Sequence, residues 1–88
     1  MQTNVTELVL EARCAIAMAR VTAPLDIGVA FDHCRDARRW AYRAGAASAG
    51  SALPPLQFEG SPTLLGAWQA GQDARQQRVA SRLTLVAA

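Results

Sequence analysis

Two stretches rich in small residues constrain this chain more than anything else in it. One is Ala37-Arg38-Arg39-Trp40-Ala41-Tyr42-Arg43-Ala44-Gly45-Ala46-Ala47-Ser48; the other is Leu64-Leu65-Gly66-Ala67-Trp68-Gln69-Ala70-Gly71. Between them lies a linker holding Pro54-Pro55, which excludes helix. Alanine and glycine on a helix let a second backbone approach closely, whereas an ordinary core would place Leu and Ile there. Each stretch also carries an aromatic ring with arginines nearby, groups that grip a partner. The segment from Ala37 to Arg75 is therefore the part to be explained, and the residues before it are its scaffold.

The remaining signals divide the chain into helices. Asn4-Val5-Thr6-Glu7 has the form of a capping box. Val5, Leu8, Val9, Ala12, Ile16 and Ala19 follow at helical spacing, which predicts a helix from about Val5 to Val21. Pro24 breaks it and suits the first turn of a second helix, expected from about Pro24 to Ala47 with Ile27, Phe31, Cys34, Arg38 and Ala41 on its inner side. Asp32–Arg35 and Asp36–Arg39 are i,i+3 pairs on that helix. Residues 48–60 read as a loop that Phe58 tacks onto the core. Ser61-Pro62 restarts a third helix, with Leu64, Leu65 and Trp68 inward and Val79, Leu83 and Val86 continuing the apolar side. The expected fold is all-α: an antiparallel helical hairpin plus a third helix after a proline-containing loop, as one small domain over residues 1–88.

Apolar residues make up 51% of the 88, but alanine supplies much of that. The expected anchors are Leu8, Val9, Ile16, Ile27, Phe31, Leu64, Leu65, Trp68, Val79 and Leu83. Such a core is thin, leaves no deep substrate cavity, and is marginally stable without a partner. No P-loop, dinucleotide fingerprint or metalloprotease motif is present. His33 beside Asp32 has no nucleophile arranged with it. No enzyme, catalytic residue, cofactor or metal is expected. Cys14 and Cys34 lie ten residues on either side of Pro24, at one level of the hairpin. They are expected to be reduced thiols packed as two small buried groups, with a disulfide or a metal site as the functional alternatives. Glu7, Glu11 and Arg13 interrupt the first apolar run, so no signal peptide is expected, and no window approaches the roughly 20 apolar residues of a membrane span. The expected location is the cytoplasm.

Charge points to a partner. The net charge is +2, and all nine basic residues are arginine. Residues 1–36 hold three Arg against five acids, and residues 37–88 hold six Arg against Glu59 and Asp73. Arg35, Arg39 and Arg43 form one stripe at i, i+4, i+8; Arg75, Arg78 and Arg82 form another. Arginine forks for phosphates with rings for bases are the ingredients of RNA contact. The bland alternative keeps Trp40 and Tyr42 in the core and the arginines in water.

The same segment resembles the ribosome modulation factor family, small bacterial proteins of stationary phase. That family carries Gly-Tyr-x-Ala-Gly-x-x-Gly in one helix, a proline in the linker, and Trp-Leu-x-Gly-Trp in the next helix. Ala41-Tyr42-Arg43-Ala44-Gly45-Ala46-Ala47-Ser48, Pro55 and Leu64-Leu65-Gly66-Ala67-Trp68 stand in those places. Ala41 and Ser48 replace two of the family's glycines, Leu64 its first tryptophan and Leu56 an aromatic, and residues 1–36 add an acidic arm. The resemblance implies a helix–linker–helix that contacts ribosomal RNA. Taken with the residues, it implies binding through Arg35, Arg39, Trp40, Tyr42, Arg43, Gly45, Trp68, Arg75 and Arg78. The expected partners are the ribosome or its RNA; the alternative is a host protein engaged by a small helical module of phage or mobile-element type. A homodimer stays open, and no membrane partner is expected.

Overall fold

Asn4 opens the first helix: its side chain accepts the backbone N–H of Thr6 at 2.9 Å, satisfying a donor with no partner inside the helix. The computed structural model describes residues 4–48 and 53–87, with side-chain burial described up to Arg82. Among these residues are three α-helices, α1 (Val5–Thr22), α2 (Ile27–Ala47) and α3 (Pro62–Ala87), and a 3-10 turn at Leu56–Phe58. No strand occurs among the described residues. The fold is all-α, and α1 and α2 pack along each other as a hairpin. Since α2 runs through residues 36 and 37, the acidic arm and the arginine-rich half share one helix.

The hairpin turn differs from the expectation at Pro24. Leu25 and Asp26 donate their N–H groups to Thr22 O at 2.9 and 2.8 Å, which holds Pro24 in a turn between the helices. The start of α2 is instead capped by Asp26, whose carboxylate accepts the Val29 N–H at 3.2 Å. An aspartate there satisfies a donor and meets the positive end of the helix dipole.

The buried face of α2 also differs. Ala30, Ala37, Ala41, Ala44 and Gly45 face inward, while Ile27 and Phe31 are 59% and 66% exposed and Arg38 is exposed. The inner stripe is thus rotated away from the large side chains. Alanine lets α1 and α2 approach closely, and the bulk of Ile27 and Phe31 is excluded from so narrow a seam. Val79, expected inward, is half exposed; Leu83 and Val86 lie beyond the residues whose side chains are described.

Leu8, Val9, Ala12 and Ile16 of α1 meet Ala37, Ala41 and Ala44 of α2 and Leu64 and Trp68 of α3. Phe58, from the 3-10 turn, is fully buried among them and closes the core on the α1–α3 side. Gly60, at φ 79°, takes a left-handed conformation that steers the chain into α3. Ser61 follows as N-cap, with its hydroxyl 3.5 Å from the Leu64 N–H, and Pro62 occupies the first helical position.

α2 and α3 cross backbone to backbone. A Cβ built on Gly45 would overlap the carbonyl of Trp68, and one on Gly71 would overlap Tyr42 O and lie 2.8 Å from Ala46 N. Gln72, 2% exposed, donates from Nε2 to Gly45 O at 2.5 Å and to Ser48 O at 3.4 Å. Arg75 also donates to Ser48 O. Carbonyls at the end of α2 are thus capped by α3, Gly45 O in addition to the 3.3 Å bond it takes from the Ser48 N–H. Gln72→Leu should lower stability by about 1–3 kcal/mol, because it leaves the buried Gly45 carbonyl with only the longer, 3.3 Å bond from the Ser48 N–H and buries an apolar group against it. Thermal melts of the two proteins check this.

Candidate nucleic-acid interface

Outward from the crossing, α2 presents Arg35, Arg38, Arg39, Tyr42 and Arg43, which with Ala67 of α3 line an open depression of about 460 Å³. A second, of about 550 Å³, lies between Tyr42 and the Ala74, Gln77, Arg78, Ser81 and Arg82 face of α3. Tyr42 borders both and is 42% exposed. The small side chains of Ala67 and Ala74 leave this surface concave. Arginines outnumber its neutral polar side chains, Tyr42, Gln77 and Ser81, and it is open, unlike an enclosed reaction site.

The arginines are not equivalent. Arg35 is held among acids, 3.7 Å from Asp32 and 3.9 Å from Asp36, in an exposed cluster worth a few tenths of a kcal/mol. Asp36 therefore pairs with Arg35 and not with Arg39. Arg43 lies over the Trp40 ring, 5.2 Å from its centroid. Arg75 is half-buried and committed to the Ser48 carbonyl. Arg38, Arg39, Arg78 and Arg82 are exposed and have no carboxylate within ion-pair reach among the described residues.

Of the expected contact residues, the structure brings Arg35, Arg39, Tyr42, Arg43 and Arg78 onto one surface. It places Gly45 and Trp68 beneath that surface, Gly45 at the crossing and Trp68 3% exposed in the core. Trp40 is half-buried against the core with Arg43 over its ring. Arg38 and Arg82, not among the contact residues expected from the sequence, join the surface. For Arg38 the missed signal was the alanine stripe, which rotates it from the inner side of α2 to the rim. Arg82 continues the Arg78 stripe by one turn, a spacing visible in the sequence itself.

The thiols lie elsewhere. Cys14 is exposed and Cys34 half-buried against the core, and both are free, so they do not form the buried layer expected of them. Cys14 is two residues past Ala12 on α1, on the opposite side of the helix from the packed stripe. Among the described residues no group of three or more His, Cys, Asp or Glu side chains is placed to hold a metal ion. No helix there is long and apolar enough to cross a membrane.

No family model, curated protein or solved structure matches this chain. The functional reading therefore rests on the surface just described and on the residues of the α2–linker–α3 segment.

Proposed function

We propose that the chain is a non-catalytic binding protein, like ribosome modulation factor, that contacts ribosomal RNA or a ribonucleoprotein through the arginine-lined face of α2 and α3. The observation that supports this most is the set Arg38, Arg39, Arg78 and Arg82, exposed and unpaired by carboxylates among the described residues, on either side of Tyr42. Like charges gathered without counter-charges repel one another, and a polyphosphate backbone relieves that repulsion while filling the guanidinium forks. The reading is of a cytoplasmic protein that carries no cofactor.

A salt titration tests it. Binding to ribosomes or rRNA fragments should weaken with a log–log slope of about −3, as expected for four single-strand phosphate contacts. Arg39→Gln and Arg78→Gln should each make the slope shallower by about 0.7. Undetectable binding at low salt, or a slope that neither substitution changes, removes the RNA reading.

One observation favours a second reading, a protein-interaction module that inhibits or adapts a host protein. Val21, Leu25, Ile27 and Phe31, around the turn of the hairpin, are all exposed, and exposed apolar surface can serve protein contacts. A pull-down with and without nuclease separates the two. Ribosomal proteins lost on nuclease treatment support RNA; one nuclease-resistant protein supports the module.

A further inference from the structure

The RNA reading leaves open which form of RNA fits, and the surface is selective on that point. Four aromatic rings besides Tyr42 occur in the chain, and none is free to meet a base at the arginines. Phe58 and Trp68 are buried, and Trp40 is packed on the core with Arg43 over its ring. Phe31 is exposed but lies eleven residues before Tyr42, roughly 16 Å along the helix axis. Tyr42 is the ring that borders both depressions, the one with Arg38, Arg39 and Arg43 on one side and the one with Arg78 and Arg82 on the other, whereas Trp40 meets Arg39 and Arg43 with its ring already covered by Arg43. Arg38 and Tyr42, at i and i+4, are adjacent on the helix surface.

Resting on that RNA reading, we propose that this surface is a track for single-stranded RNA, with one base stacked on Tyr42 and backbone phosphates held by Arg38 and Arg39 on one side and Arg78 and Arg82 on the other. A cation–ring–cation order matches a splayed strand, in which a base can turn toward the protein while the flanking phosphates stay on the surface. In a duplex the bases are stacked inside the helix, so a surface ring has no face to meet and only the arginines act. The backbone beneath the track is held by the Gly45–Gly71 crossing, so the ordering cost of binding falls on the arginine side chains and not on the helices.

Fluorescence anisotropy on two probes tests the proposal: an unstructured oligouridine of about a dozen nucleotides, and a blunt RNA duplex carrying the same number of phosphates. The proteins are the parent, Tyr42→Leu, Tyr42→Phe and Arg38→Gln, each first confirmed as folded by its helical circular dichroism. Tyr42→Leu should weaken oligouridine binding at least about fivefold. It should leave duplex binding and the salt slope unchanged, since no cation is removed. Tyr42→Phe keeps a stacking face and should bind oligouridine like the parent, which also guards against a folding defect in the leucine variant. Arg38→Gln should weaken binding to both probes and flatten the slope for oligouridine by about 0.7. Oligouridine binding unchanged in Tyr42→Leu, or weakened equally on both probes, overturns the single-strand track while the RNA reading stands. Failure of the parent to bind either probe at low salt overturns both.

Discussion

Gly71→Ala is expected to destabilise the protein by about 2–3 kcal/mol, although helix propensity alone favours the change by about 1 kcal/mol. The reason is the crossing. The new methyl would overlap Tyr42 O and press on Ala46 N, and these are backbone atoms of α2 that cannot rotate aside. Gly45→Ala meets the same obstacle at the Trp68 carbonyl, with Gln72 N 3.2 Å from the added carbon. Gly66→Ala is the control. It sits in the same helix as Gly71 with nothing within 4 Å of an added Cβ, so it should be stabilising by up to about 1 kcal/mol. Thermal melts read the difference, because about 1 kcal/mol moves the midpoint of a domain this size by roughly 4–8 °C. If Gly45→Ala and Gly71→Ala melt at or above the parent temperature, the helices do not cross at these glycines.

Trp68→Ala is expected to be more severe still, at about 3–5 kcal/mol, a loss comparable to the total stability of a small domain. Trp68 is 3% exposed and joins Leu64 and Phe58 against both hairpin helices. Its indole Nε1 has no hydrogen-bond partner among the described residues, so among them the ring holds the core by packing. Trp68→Phe should therefore be much milder. It removes some volume but also an unsatisfied buried donor, whose desolvation itself costs about 1–3 kcal/mol. A Trp68→Ala variant that melts with the parent would show that the ring lies outside the core.

The helix count, the Asn4 and Ser61 caps, the burial of Phe58 and the anchoring by Leu64 and Trp68 were all legible in the sequence, because each leaves a local signature of cap or spacing. The rotation of α2 was not. Weighting by side-chain size favoured Ile27 and Phe31, whereas helices packed this closely select Ala30, Ala37, Ala41 and Ala44. The same preference drew attention to Pro24 over Asp26 as the start of that helix. For the candidate interface, the sequence named the arginine stripes but could not tell which members were already engaged. Arg75 and Arg43 look like Arg39 and Arg78 until Ser48 and the Trp40 ring are placed beside them. Gly45 and Trp68, grouped with the contact residues by proximity in the chain, lie one layer beneath them.

The glycine crossing separates what sets the shape of this protein from what sets its chemistry. Gly45, Gly71 and Gln72 fix how the two helices meet and take no part in the outer charge, whereas Arg38, Arg39, Arg78 and Arg82 carry that charge and support none of the joint. The exterior can therefore be rewritten, arginine by arginine, on an unchanged chassis. A chain that kept the interval from Gly45 to Gly71 and exchanged its arginines for other side chains would hold the same architecture and address a different surface. The spacing of two glycines, more than any cationic residue, is what would mark such chains as kin.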